Sequence, residues 1–412
     1  MKLAAVVAVV LSAGLAGGQS APPKPVTVPL ILDHDRVVIE VGLPLPDGST
    51  QRVRAWVDNG NPEFYLSRRA ATLMGLAVSC EDKECSASPP HEITISGMKI
   101  PLAGIKEAKI PLKAVSAAGV MASGMNAEIN IPSTILRSYD VLISFPDHEF
   151  TIGPPGSVKF KGIKAKVIVN AESGLVQVPS QIENKKYNLG LDIGSSVSFL
   201  PGELFNKLAA AHSDWPHLTG AVGPANMWGS RDEPKWKLMR VDRMQYGPLF
   251  LTSIVAVDLP EAHPPFFEKG AGFSTAGLLG SEALMNYRIG LDYAHSAVYF
   301  DIGRTFNFPD FDVIGLILRP EDDGSFIILA IADYDGKASV AEVQAGDRLV
   351  AVDGIPVRGS TLGQVLLMLG GEPGKERSLT VERTGKQFIV AAKVQHFLGE
   401  TDGSSTSKAK SR

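Results

Sequence analysis

Part of this chain is written twice, and that constrains its fold more than any other feature. Trp56-Val57-Asp58-Asn59-Gly60-Asn61-Pro62-Glu63-Phe64-Tyr65-Leu66 aligns with Gly190-Leu191-Asp192-Ile193-Gly194-Ser195-Ser196-Val197-Ser198-Phe199-Leu200, displaced by 134 residues (58 to 192). Further along, Ile131-Pro132-Ser133-Thr134-Ile135-Leu136-Arg137-Ser138-Tyr139 aligns with Leu279-Gly280-Ser281-Glu282-Ala283-Leu284-Met285-Asn286-Tyr287, displaced by 148 (131 to 279). The matches keep their order, so the second copy carries fourteen more residues between them, assigned to the Trp-bearing stretch from Ser213 to Trp236. Self-similarity of this kind means one structural unit built twice. After Phe308-Pro309-Asp310 a third unit begins, with no counterpart in either copy.

The repeated units read as β structure. Short alternating runs such as Val37-Val38-Ile39-Glu40-Val41 and Arg52-Val53-Arg54-Ala55-Trp56-Val57 are separated by Gly, Pro, Asn and Asp, the signature of many short strands. Helical periodicity is confined to Arg68–Met74, Gly202–Ala211, Ser281–Asn286 and Leu362–Leu369. A length of 412 residues suits two or three domains. With 44% hydrophobic and 20% charged residues, the chain can bury real cores. A net charge of -4 lacks the clustered Lys/Arg excess of a nucleic-acid binder. Gly399 to Arg412 has little to bury and is expected to be disordered.

Met1-Lys2, the apolar run Leu3 to Leu11 and the small residues that follow have the layout of a secretory signal peptide, residues 1–21, with cleavage after Ala16 or Ala21. The run is too short to span a bilayer, so no membrane span is expected after cleavage. The expected location is periplasmic or extracellular. In such an oxidising compartment Cys80 and Cys85 can pair as a local staple; the small loop they close limits the stabilisation to about 2 kcal/mol. Two thiols lack the remaining ligands of a closed zinc site, and the eight histidines show no paired metal spacing. No metal or cofactor is expected. His295 reads as a turn residue. Trp215, Trp228 and Trp236 read as packing aromatics rather than a substrate cleft.

Each copy has an apolar strand that ends in Asp-x-Gly: Val57-Asp58-Asn59-Gly60 and Leu191-Asp192-Ile193-Gly194. Glycine permits the tight turn that exposes the carboxylate. One such turn is unremarkable, but two at matched positions of a duplicated lobe would meet at the lobe interface. With Ser195, Ser198-Phe199-Leu200 and Gly277-Leu278-Leu279-Gly280, these residues resemble the pepsin/retropepsin superfamily of aspartic proteases over about residues 28 to 305. Tyr287 to His295 is similar to the closing strand pair of bacterial aspartyl protease lobes. The resemblance implies a mainly β fold of two pseudo-symmetric β-barrel lobes, residues 28–155 and 156–305. It also implies a catalytic dyad of Asp58 and Asp192, supported by Asn59, Gly60, Ile193, Gly194, Ser195 and Gly280. Two close carboxylates share one proton, and their acidities split. One then draws a proton from water while the other polarises the scissile carbonyl of a polypeptide substrate. The family has Thr or Ser after each Asp, bonding across to the other lobe. Here the positions hold Asn59, which can offer an amide, and Ile193, which offers nothing.

In the third unit, Ala345-Gly346-Asp347-Arg348-Leu349-Val350-Ala351-Val352-Asp353-Gly354 and the Thr361–Leu369 segment resemble a PDZ domain over about residues 311 to 396. Strands are expected at Ser378–Arg383 and Gln387–Lys393. The resemblance implies that Ile314-Gly315-Leu316 holds a peptide's C-terminal carboxylate, while the peptide lies beside Leu316-Ile317-Leu318 and faces the Thr361 helix. The alternative function is a catalytically decayed scaffold that binds peptides through its PDZ domain.

Overall fold

The computed structural model describes residues 24–81, 84–111, 121, 124–259, 275–303 and 311–399. The expected signal peptide, the 308–310 boundary and the tail beyond Gly399 lie outside the described residues. The fold is mostly β, with few and short helices.

The strand Arg36–Pro44 is buried along nearly its whole length, with Val37, Ile39, Val41 and Leu43 in the core. It pairs antiparallel with Thr50–Asp58, from Val38↔Trp56 to Pro44↔Thr50. On its other side Thr50–Asp58 pairs parallel with Ile129–Pro132, through Ile131↔Val57 and Pro132↔Asp58. The second copy repeats this arrangement. Lys185–Leu191 pairs antiparallel with Val176–Ile182 and parallel with Leu278–Leu279, through Leu191↔Leu279. Each repeated Asp therefore stands where a central strand ends, gripped on both edges.

A six-stranded antiparallel sheet joins the copies, in the order Val26–Pro29, Glu149–Gly153, Asp140–Ser144, Tyr287–Asp292, Ala297–Ile302, Ile163–Lys166. Its central pairing sets Leu142 opposite Gly290. These positions are equivalent under the 148-residue repeat, so an approximate two-fold axis passes between them. The hairpin 140–153 on one side answers the hairpin 287–302 on the other. Gly290 has its own reason to lack a side chain, since a Cβ there would overlap the Phe160 ring.

The helices fall close to their expected places. Arg68–Leu73 starts at Ser67, whose hydroxyl accepts the Ala70 N–H at 2.9 Å, the usual N-cap bond. Gly202–Ala211 and Leu362–Leu369 match expectation. The segment expected as a helix over Ser281–Asn286 is instead one 3₁₀ turn, Ser281–Leu284, because the Tyr287–Asp292 strand begins too soon to complete an α-turn. Cys80 and Cys85 face each other across the strands Val78–Glu81 and Glu84–Ala87 and are joined by a disulfide.

The third unit is a five-stranded sheet, in the order Leu316–Pro320, Phe326–Ile331, Arg348–Val352, Glu376–Arg383, Lys386–Lys393, against which the Leu362–Leu369 helix packs. Thr361 and Gln364 cap that helix reciprocally, and Leu362, Val365, Leu366 and Leu369 face the core. This unit is docked, not tethered. Phe311, Val313, Ile317, Ala332 and Phe397 share one apolar cluster with Val197, Phe199, Trp236, Leu238 and Val257 of the second copy. Phe199 stacks on Trp228, and Trp236 meets both rings edge-on. Trp228 and Trp236 of the second-copy insertion thus pack in the cluster shared with the third unit, whereas Trp215 stacks on His212 against the main core. Trp236→Ala is expected to cost about 3–5 kcal/mol of unfolding free energy, read from urea denaturation; a cost under about 1 kcal/mol would mean that the cluster is not a packed core.

Candidate active site

In the strand Thr50–Asp58, Val53, Ala55 and Val57 point into the core, so alternation places Asp58 on the opposite face. Asp192 follows the end of Lys185–Leu191, and its N–H donates to Leu279 O at 3.0 Å. The two loops meet crosswise. A Cβ on Gly60 would overlap the Asp192 carboxyl, and a Cβ on Gly194 would overlap the Asp58 carboxyl. The repeated glycines are therefore required by the approach of the opposite loop, in addition to the turn itself. Both acids are buried, Asp58 to 3% exposure and Asp192 to 8%.

Burial raises the pKa of both groups. Asp192 is pushed up to about 6 by desolvation, with the Gly194 and Ser195 N–H groups pulling it back; the Gly194 N–H donates to Asp192 Oδ1 at 2.9 Å. Asp58 is held well above the usual carboxylate range by desolvation first and the neighbouring Asp192 charge second. The Gly60 N–H, the Asn61 side chain and Arg36 oppose that rise. Two buried carboxyls whose charges repel each other titrate as a pair.

Asn59 supplies the cross-copy bonding. Its Nδ2 donates to Leu191 O at 2.9 Å, and its Oδ1 accepts the Ile193 N–H at 2.8 Å. One amide carries a donor and an acceptor in fixed geometry, so it bridges the backbone on both sides of Asp192. Ile193 contributes no such bond in return; its side chain is fully buried in the main core. The grip comes from one side.

A second symmetric pair supports the loops. The Ser133 N–H and hydroxyl both donate to Asn61 O, at 2.9 and 3.0 Å. The Ser281 N–H and hydroxyl donate likewise to Ser195 O, at 2.9 and 2.8 Å. These serines occupy equivalent places in the repeat, and the alignment itself was the signal that could have singled them out. Gly280 runs so close behind its loop that a Cβ would overlap the Val197 carbonyl. Ser195 also donates its hydroxyl to Val197 O at 2.8 Å.

Sequence reasoning missed the hairpin formed by Ile31–Asp33 and Arg36–Pro44. Its two-residue turn puts His34 and Asp35 in the left-handed region, at φ 57° and 58°, a geometry normally given to Asn-Gly. Without glycine, composition gave no turn signal. The tip lies against the second copy: Ser196 Oγ donates to His34 O, and the Ser281 hydroxyl shares its one proton between Asp35 O and Ser195 O. Arg36, fully buried, donates from Nη1 to Met227 O at 3.0 Å. Desolvation lowers Arg36 to about 10, with Asp33, Glu233, Asp35 and Asp58 pulling it back up. Glu233 is itself fully buried, accepting from the Trp228 N–H at 2.7 Å, the Gly229 N–H at 3.1 Å and the Asn226 amide. Burial pushes its carboxyl up to about 7.

Of the residues expected to bind peptide, Ile314, Gly315, Leu316 and Ile317 enter the third unit's edge strand beside the C-terminal end of its helix, whereas Thr361 caps the helix's other end. The four apart from Gly315 are essentially without solvent exposure. The Ile314 N–H donates to Leu369 O at 3.0 Å and the Leu316 N–H to Ile314 O at 2.7 Å, so two of the expected carboxylate donors are engaged within the domain. His295 ends a 3₁₀ turn, beside Asp292 at 2.7 Å. Among the described residues no group of three or more His, Cys, Asp or Glu is placed to hold a metal ion, and no helix is long and apolar enough to cross a membrane.

Comparison with known proteins identifies one part of the chain. Residues 332–383 match the PDZ domain family, and they form a PDZ domain. No curated protein matches the chain. Among solved structures, one match is the crystal structure of an aspartic proteinase from Irpex lacteus, with a TM-score of 0.42 and 11% identity, covering 68% of this chain and 97% of that one.

Two outcomes follow from the geometry. Asn59→Ala orphans the buried Leu191 carbonyl and Ile193 N–H, at about 1–3 kcal/mol for each group; unchanged stability in urea would remove Asn59 from the interface. Glu233 has a folded-state value of about 7 against an ordinary 4.5, so between those pH values the folded chain holds a proton that the unfolded chain has released. Stability should therefore fall as pH rises through that window, by about 1.4 kcal/mol per pH unit for one proton. Glu233→Gln should flatten the slope while lowering stability overall, and a slope identical in the variant would contradict the assignment.

Proposed function

We propose that this chain is an exported aspartic-type endopeptidase that cleaves polypeptides with the Asp58/Asp192 pair, built on two pepsin/retropepsin-like lobes and carrying a PDZ domain for peptide recognition. The observation that carries the reading is the crosswise seating of each carboxyl over the other loop's glycine. Such seating aims two acids that share a proton at one point. Export rests on the signal-like first 21 residues, and periplasmic or extracellular placement on the same feature.

The ionised member of the pair takes a proton from a water as its oxygen attacks the scissile carbonyl carbon. The protonated member gives its proton to the carbonyl oxygen, forming a gem-diol. When that species collapses, the C–N bond breaks, the leaving nitrogen takes up the proton gained from the water, and the carboxyl that had given up its proton takes one back from a diol hydroxyl, which leaves the carboxylic acid product and restores the pair. Neither carboxyl forms a covalent bond, and no metal or organic cofactor is called for. Asn59 holds the backbone around Asp192 through the cycle, and Ser133 and Ser281 hold Asn61 and Ser195 further along each loop.

A second reading is favoured by one observation: Ile193 sends no hydrogen-bonding group back across the interface. Under that reading the lobes are a non-catalytic scaffold, and peptide binding belongs to the PDZ domain. Peptidase assays from pH 3 to 8 separate the two. In the catalytic reading both acids are protonated at low pH and no base exists. The rate should therefore rise with pH as the first proton leaves, near 6. Asp58→Asn and Asp192→Asn should each lower kcat/KM by about 10²–10⁴-fold. Turnover that survives both substitutions would overturn the dyad, and a folded chain without turnover at any pH would leave the scaffold reading.

A further inference from the structure

The PDZ sheet ends in the strand Leu316–Pro320, whose outer edge has no strand partner within the domain. A peptide that joined this domain by strand addition would hydrogen-bond to that edge, beside the Leu362–Leu369 helix. The edge is already taken by the chain itself. Asn226, in the second-copy insertion, donates from Nδ2 to Leu318 O at 2.9 Å and accepts the Leu318 N–H on Oδ1 at 2.8 Å. A single side-chain amide thus makes the pair of bonds that an added strand residue would make. Asn226 is fully buried, and its Nδ2 is also held by Glu233. Gly229, at φ 62°, lies so close to Arg319 that a Cβ would press on its backbone. Along the helix side of the same cleft sits the first-copy hairpin: a Cβ on Gly363 would meet the Asp33 carboxyl and the His34 N–H.

We infer that the partner of the PDZ edge strand is this chain's own segment 223–233, braced from the first copy by the turn His34–Asp35. An incoming peptide strand has to displace Asn226 to reach the Leu318 backbone. The inference stands on contacts outside the carboxyl pair and does not depend on catalysis.

Hydrogen–deuterium exchange on the full-length protein tests it. In the wild type the Leu318 amide should be protected. Asn226→Ala should speed its exchange by about tenfold or more, while Leu379 and Val381 in the centre of the PDZ sheet stay slow and report an intact domain. Gly363→Ala supplies a second, independent variant. Within a helix, alanine ordinarily stabilises relative to glycine. In an undocked domain the change should therefore leave Leu318 exchange unchanged or slower; in the docked one the new Cβ strikes the hairpin and exchange should quicken. A Leu318 amide that is unprotected in the wild type, or exchange unaltered in both variants, would overturn the inference.

Discussion

Two carboxylic acids buried against each other are a standing electrostatic cost, and much of the surrounding structure consists of what that cost requires. Desolvation alone disfavours ionising either Asp58 or Asp192, and each charge would worsen the other. Such a pair persists only if the loops that carry it cannot relax apart. The parallel ladders behind each Asp, the Asn59 bridge and the Ser133 and Ser281 clamps all hold backbone, not carboxylate. They fix where the acids are, while the carboxyl oxygens accept from their own loops, as Asp192 Oδ1 does from the Gly194 N–H. The glycines complete the arrangement by removing the atoms that would keep the loops apart.

The duplication made most of this readable from sequence. A repeat that preserves Asp-x-Gly and its downstream companion fixes which strands are equivalent, and the central pairing of Leu142 with Gly290 is where the two displaced copies meet. Strand and helix positions were also legible, because alternation and capping are local properties. What stayed hidden depends on contacts remote in sequence. Asn59 reads as a departure from a Thr/Ser pattern until Leu191 and Ile193 are seen on either side of its amide. The turn at His34–Asp35 lacks the Asn-Gly or Asp-Gly pair that marks such hairpins, and its bonds to Ser196 and Ser281 of the other copy are remote in sequence. Asn226 and Glu233 look like ordinary polar loop residues, and only burial shows that they are structural.

The asymmetry between Asn59 and Ile193 has a packing explanation. A symmetric grip needs two polar side chains at the interface, each satisfied by the other copy. Here one amide serves two backbone groups at once, the Leu191 carbonyl and the Ile193 N–H. The opposite position is then free to join the main apolar core, in which Ile193 is fully buried. A buried isoleucine contributes apolar burial worth about 1.5–3 kcal/mol, whereas a lone hydroxyl there would need a partner of its own.

Arg36 shows why the third domain and the carboxyl pair belong to one argument. A guanidinium without solvent exposure is tolerable only when anionic neighbours offset its desolvation. Those neighbours come from both copies: Asp33, Asp35 and Asp58 from the first, and Glu233 from the second. Asp33 in turn lies against the first turn of the PDZ helix, where the Thr361 hydroxyl and the Gly363 N–H temper the rise that burial imposes on it. Glu233 grips Asn226, and Asn226 grips the PDZ edge strand. Moving the PDZ domain away would therefore hydrate Asp33 and loosen Glu233. Both changes reset the field that Arg36 feels, and Arg36 is one of the charges that lowers Asp58. Arg36 thus lies between the acids at the interface and the PDZ domain, with anionic neighbours on both sides.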